Sequence, residues 1–283
     1  MELLRQIDLD DLLRRALAED VGQGDITTAA TVDSAARGRA RITVKEPVGI
    51  VFCGGFLLER VFALTSSDPA VRTIVSEGQR LEAGAIAAEI DGRLAGLLTG
   101  ERVALNLLQL MSGVATATRR YVDALAGTRA RIVDTRKTHP GLRALEKYAV
   151  RIGGGCNHRF GLDSGVLIKE NHIAAAGSVA KALERARRFA PHTFHVEIEC
   201  ETLAQVEEAI AHGATAILLD NMTPAEMLKA RALAGDAVLL EASGGVTLDS
   251  VRAIAEAGVD LISVGALTHS VRAVDLSMRI EVV

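Results

Sequence analysis

Two hundred and eighty-three residues make a 29.9 kDa chain, room for two domains or one large barrel. Apolar residues at 49% and charged residues at 24% exclude a disordered or collagen-like chain. A net charge of −4, 3% aromatics and no tryptophan leave neither the basic excess nor the stacking surface of a general nucleic-acid binder.

Residues 1–20 carry acids throughout and no apolar core, so they read as an amphipathic helix with Leu3, Ile7, Leu13 and Leu17 near one face, not as a signal peptide. No run of about 18 uncharged apolar residues is present, so no membrane partner is expected and the cytoplasm is the expected compartment. Cys53, Cys156 and Cys200 are odd in number and form no CxxC pair, which fits free thiols and argues against a zinc cluster. Over 37–53 the alternation at Ala40, Ile42 and Val44 predicts a half-buried strand, punctuated by Pro47 and Gly49. Short apolar pieces broken by Gly78, Gly84, Gly92 and Gly96 continue as a sheet of tight turns. From Thr99 to about Ala126, Val103, Leu107, Leu110, Val114 and Ala117 recur at helical steps, with Thr99 as the expected N-cap.

The second half has a different rhythm. Short apolar strands are expected at 132–133, 166–168, 196–198, 216–219, 238–240 and 261–264. Helical stretches such as TLAQVEEAIAHG and TLDSVRAIAEAG separate them, each with a Thr near its start and a Gly past its end. Strand–helix repeats of this length demand parallel strands, closed as an α/β barrel or laid open as a doubly wound sheet. In both architectures the active site lies at the carboxyl ends of the strands. There the sequence places Asp134–Lys137, Lys169–His172, Glu199, Asp220, Glu241 with Ser243-Gly244-Gly245, and Gly265-Ala266.

Between 136 and 172, seven basic residues stand against three acids, +4 in a chain that is −4. Arg143, Glu146, Lys147 and Arg151 have the spacing of one exposed helix face. Arg136, Lys137, Arg159 and Lys169 flank glycine-rich loops or end a strand, which implies a small polyanionic substrate. SGG at 243–245 and VGA at 264–266 sit where barrels hold phosphates on backbone N–H groups. Glu199 and Asp220 end neighbouring strands about 4.8 Å apart, placed for ribose hydroxyls or water-bound Mg²⁺, unless one merely pairs with Lys169. His192, His195 and His212 read as structural. His139, His158, His172 and His269 lie in the candidate loops.

EDVGQGDITT (19–28), GERVALNLLQLMSGVAT (100–116), the long motif from Asp134 to His172, VEIE (196–199), ILLDNM (217–222), EASGG (241–245) and SVGALTHS (263–270) together resemble the quinolinate phosphoribosyltransferases, over nearly the whole chain. The resemblance implies an open-faced α/β sandwich over 1–107, to which 270–283 returns as a strand, and an incomplete, TIM-like α/β barrel over 108–269. It implies transfer of phosphoribosyl from 5-phosphoribosyl-1-pyrophosphate to quinolinate, releasing pyrophosphate and CO₂ and giving nicotinate mononucleotide for NAD biosynthesis. By the same resemblance, Arg136, Lys137, His158, Arg159 and Lys169 surround the two quinolinate carboxylates, and Thr135 is a further substrate-binding residue. Arg102 reaches that pocket from the partner subunit of a homodimer. Glu199 and Asp220 face the ribose and Mg²⁺, the metal through water, while Ser243, Gly244, Gly245, Val264, Gly265, Ala266 and His269 hold the 5-phosphate side. Lys137, Lys169, Glu199 and Asp220 are the expected catalytic set. Three rival readings compete: a molybdenum-associated relative in the same fold, a Schiff-base aldolase on Lys169, and a non-catalytic phosphosugar binder.

Overall fold

The computed structural model describes residues 8–65 and 68–283. In chain order the elements are α1 (Leu9–Val21), α2 (Ile26–Thr31), β1 (Arg37–Val44), β2 (Ile50–Val51), α3 (Phe56–Leu64), β3 (Ala70–Thr73), β4 (Arg80–Leu81), β5 (Ile86–Arg93), α4 (Leu94–Ala124), β6 (Arg131–Val133), α5 (Arg143–Ile152) and β7 (Val166–Ile168). They continue with α6 (Glu170–Ala176), α7 (Val179–Phe189), β8 (Val196–Cys200), α8 (Leu203–Ala211), β9 (Ala216–Asp220), α9 (Pro224–Ala234), β10 (Leu239–Ser243), α10 (Val251–Glu256), β11 (Leu261–Ser263), α11 (Ala266–His269) and β12 (Leu276–Val282). Two compact units emerge. The first takes the described residues up to Arg119 together with His139–Gly154 and Ser270–Val283; the second takes Arg120–Thr138 and Gly155–His269.

The first unit is built on an antiparallel sheet in the order β12-β1-β5-β3. Gly38, Ala40, Ile42 and Val44 are buried on one face of β1, while Arg39 and Arg41 on the other pair with Asp91 and Glu89 of β5. That is the period of two expected of a half-solvated sheet. Leu57, Leu58, Val61 and Phe62 of α3, with Leu13 of α1, complete the core. Gly49 turns the chain between β1 and β2 at φ 73°, where an added Cβ would lie 2.7 Å from the Leu81 carbonyl oxygen.

Three local expectations are corrected. The long helix α4 begins at Leu94, ahead of Thr99, whose hydroxyl donates to Asp25 Oδ2 at 3.2 Å and so caps nothing. In α5, Glu146 and Lys147 are fully buried, so this is no solvated charged face; Glu146 accepts hydrogen bonds from His139 N at 3.1 Å and His139 Nδ1 at 2.5 Å. Helix α10 starts only at Val251, because Thr247 forms a turn with Ser250. On the amino-terminal helix, Leu13 and Leu17 are buried as expected, whereas Leu3 and Ile7 lie outside the described residues.

In the second unit six parallel strands run in the order β6-β11-β10-β9-β8-β7. No pairing closes β6 onto β7 among the described residues, so the sheet is an incomplete α/β barrel. Ile198 and Cys200, Ile217 and Leu219, Leu240 and Ala242, and Ile262 form the apolar face of these strands. The alternate residues Glu197, Glu199, Leu218, Asp220, Glu241, Ser243 and Ser263 therefore turn to the opposite face.

At the foot of this sheet Asp260 accepts the Leu240 amide at 2.9 Å and pairs with Arg129 and Arg231. Burial raises its pKa, but the Leu240 amide and the two guanidiniums outweigh that, and the carboxyl ends below its ordinary value. Asp260→Asn is expected to cost about 2 kcal/mol, lowering Tm at pH 7 by roughly 4–8 °C. A depressed folded-state pKa gives stability that is present above the ordinary aspartate value and lost as pH falls through the folded value. Thermal melts of both proteins should therefore begin to draw together only as pH falls below about 4.

Candidate active site

The polar ends of the barrel strands enclose a cavity of about 350 Å³. Thr135, Arg136, Lys137, His158, Arg159, Lys169, Glu199, Asp220 and Ser243 line it, together with Leu167, Leu218, Glu241 and Ser263. Ten of the residues singled out from sequence, Glu241 among them, thus share one space.

Each is held by its own strand or loop. Thr135 Oγ1 accepts the Lys137 amide at 3.0 Å, and Thr268 Oγ1 donates to the Lys137 carbonyl at 2.7 Å, which fixes the turn after β6. Arg159 Nη1 donates to the Gly165 carbonyl at 2.9 Å. Burial first, then the neighbouring Arg136 charge, lowers the Arg159 pKa: the cavity holds an excess of positive charge. The buried Asp134 anchors the segment carrying His158, accepting Asn157 Nδ2 at 2.5 Å and the His158 amide at 2.9 Å.

Lys169 and Glu199 form an ion pair, with Glu199 only 6% exposed. Burial raises the Glu199 pKa, Lys169 opposes it, and the facing Asp220 charge adds to the rise. Asp220 Oδ2 accepts Asn221 Nδ2 at 2.8 Å. Asn221 itself sits at φ 54°, and its amide donates to the Ser243 carbonyl at 2.9 Å. Gly244, at φ 94°, passes so close that a Cβ would meet Asn221 Oδ1 at 2.1 Å. Gly245 follows at φ 59°. Val264, Gly265, Ala266 and His269 lie at the end of β11 and in α11, and a Cβ on Gly265 would touch His269 and Lys137. They do not line the cavity itself, and neither do Gly244 and Gly245. Arg102 is an exposed residue of α4 in the first unit.

Glu197 and Ser263 were not singled out from the sequence, and Asp134 and Glu241 entered only as polar strand ends without a specific role. One signal was available: Glu197 lies two residues before Glu199, and Glu241 two before Ser243, so each pair shares a strand face. His158, Glu197 and Glu241 bring ligating atoms within 4.8 Å of one another.

A model of the quinolinate phosphoribosyl transferase N-terminal domain matches residues 25–112, and one of the C-terminal domain matches 114–279. The chain belongs to the quinolinate phosphoribosyltransferase family. It is 44% identical over 279 residues to a probable nicotinate-nucleotide pyrophosphorylase [carboxylating] of Bacillus subtilis, covering 98% of this chain and 95% of that protein. A nicotinate-nucleotide pyrophosphorylase [carboxylating] of Mycobacterium leprae is 44% identical over 274 residues, 95% of each chain. The crystal structure of nicotinate-nucleotide pyrophosphorylase from Ehrlichia chaffeensis superposes with a TM-score of 0.92 at 39% identity, covering 98% of this chain and 100% of that one. Family membership agrees with the incomplete barrel and with its cationic cavity.

Asp134→Ala removes the acceptor of the His158 amide from this phosphoribosyltransferase. At about 1.4 kcal/mol for such a bond, that amide should exchange with solvent roughly tenfold faster. Hydrogen exchange read residue by residue checks this, with an unchanged rate at His158 assigning the anchoring elsewhere.

Proposed function

We propose that this cavity joins quinolinate to 5-phosphoribosyl-1-pyrophosphate, releasing pyrophosphate and CO₂ and forming nicotinate mononucleotide for NAD biosynthesis. The observation that carries the reading is the gathering of Arg136, Lys137, Arg159 and Lys169 on one cavity that two facing acids, Glu199 and Asp220, also line. Four cations suit the two carboxylates of quinolinate, and holding both positions the ring nitrogen for attack. Departure of pyrophosphate leaves positive character at the ribose carbon, which Glu199 and Asp220 stabilise. Their hard carboxylate oxygens on neighbouring strands are the donor set that water-bound Mg²⁺ favours; when bound, the metal supplies charge neutralisation of the leaving pyrophosphate. Ser243, Gly244, Gly245, Val264, Gly265, Ala266 and His269 offer amides and small residues to the 5-phosphate. His158 enters this reading as a wall of the quinolinate pocket.

Lys169 serves here as an ion partner. Its Nζ is engaged by Glu199, whereas Schiff-base chemistry needs an amine free to attack a carbonyl. The enzyme is at least a homodimer, with Arg102 completing the partner's cavity. Arg102 is exposed, β7 is an edge of the parallel sheet, and the adjacent α6 buries no residue, which supports a partner surface there. No helix among the described residues is long and apolar enough to cross a membrane, and the bacterial relatives are consistent with a cytoplasmic enzyme.

Quinolinate should be consumed with release of CO₂, and nicotinate should not, because a monocarboxylate leaves fixed cations unpaired. Comparable kcat/KM for the two acids would remove the basis for this function. Arg102→Ala and Lys169→Ala should each abolish turnover, and mixing them should restore some, since one site of a mixed dimer keeps both native residues. Subunit exchange, shown by a tagged pull-down, without recovered activity would place Arg102 at its own subunit's site.

A further inference from the structure

Phosphoribosyl transfer gives no chemical step to Glu241 on the cavity, to Glu197 behind it, or to the His158 ring that walls the quinolinate pocket. His158 Nε2 lies 3.3 Å from Glu197 Oε2 and 3.8 Å from Glu241 Oε1, while His158 Nδ1 accepts the Arg159 backbone N–H at 2.7 Å. A ring nitrogen that accepts carries no proton. The hydrogen-bond geometry therefore assigns the imidazole proton to Nε2, aimed at the two glutamates. Glu197 is the nearer of the two. This tautomer argues against a metal ion among the three, since coordination would need the lone pair of the nitrogen that bears the proton.

Glu241 is left as the second carboxyl of the pair. It is 1% exposed, lines the cavity, and its Oε1 has no hydrogen-bond partner among the described residues. Glu197 faces it from β8, Asp134 and His158 from the segments after β6, and Ser263 from β11. Two carboxylates so close in a dry interior cannot both ionise. Burial, then the Glu197 charge, pushes the Glu241 carboxyl up to about 7, with His158 and Ser263 pulling the other way and Asp134 adding to the rise. The cavity floor thus carries a carboxyl group that holds its proton up to about neutral pH.

The proposed reaction needs an acid there. When the carboxylate next to the ring nitrogen leaves as CO₂, the carbon–carbon bond breaks and its electron pair stays on the ring carbon beside the cationic nitrogen. That carbon must gain a proton. We propose that Glu241 is the catalytic acid that protonates the ring carbon vacated by CO₂, an inference that rests on the reaction proposed above. A C–H bond forms, Glu241 is left as a carboxylate, and it takes a proton back from water that enters as product departs. Lys137 and Lys169 are poorer donors for this step. Their charge is committed to carboxylates, and an ammonium is ordinarily a weaker acid than a carboxyl group.

Glu241→Gln keeps the shape and removes the acid. Its kcat should fall roughly 10²–10⁴-fold with quinolinate binding by calorimetry within threefold of wild type. Wild-type kcat should decline as pH rises through neutrality, and Glu197→Gln, which removes the neighbouring charge, should move that decline to lower pH. A Glu241→Gln variant that binds quinolinate and turns over within threefold of wild type would overturn the proposal. So would a Glu197→Gln profile unmoved or moved upward, a readout that stands even if Glu241→Gln fails to fold. Wild-type protein that forms no nicotinate mononucleotide overturns the reaction itself, and this step with it.

Discussion

Like charges crowded into one cavity are the constraint around which this barrel is organised. Two unit charges 4 Å apart repel by about 4 kcal/mol at an effective dielectric near 20, and Arg136, Lys137, Arg159 and Lys169 share a cavity of about 350 Å³. The lowered pKa of Arg159 records that repulsion on top of its burial. Such a cluster persists because acids stand among and beneath it: Glu199 on Lys169, Glu197 within reach of Arg159's field, and Asp134 bracing the segment that carries His158 and Arg159. Counter-charge placed in the scaffold keeps the cations in position before any anion arrives, so an incoming dicarboxylate meets an electrostatic field that needs little reorganisation. The same acids crowd one another in turn, and burial together with that crowding raises the Glu241 carboxyl well above the usual carboxylate range.

Much of this was legible in the residues. Ile198 between Glu197 and Glu199, and Leu219 between Leu218 and Asp220, announce strands with one face for helices and one for chemistry, and the structure places them so. Thr202 with Gln205, and Thr223 with Glu226, form the capping boxes that start α8 and α9. Choosing an incomplete barrel over an open sheet was different. Periodicity is the same in both, and only the family resemblance separated them before β6 was seen beside β11.

What stayed hidden has physical reasons. Glu146 and Lys147 have the spacing of a solvated face, and nothing local in α5 says that their side of the helix is covered. Thr99 has the residue type of a cap but follows a helix already begun at Leu94, because Gly96 and Gly100 weaken the helical pattern there. Glu241 reads as one more polar strand end. Its raised pKa comes from burial and then from the Glu197 charge on another strand, and both are set by packing and register, which no single stretch of sequence displays.

Strand β12 pairs with β1 along seven residues, from Gly38 with Val282 to Val44 with Leu276. Arg41 and Glu281, joined across that pairing, are 240 residues apart in the chain. At roughly 5–20 residues per second, a ribosome exposes β1 some 10–50 s before β12 exists. For that interval β1 is a bare edge with apolar Ala40, Ile42 and Val44, an opening for pairing with a foreign strand. The whole barrel is synthesised within the same interval, so it can settle while the first sheet still waits. Nascent-chain vulnerability therefore concentrates in a sheet that carries none of the cavity's side chains, and the strand that closes it is made only after the whole barrel.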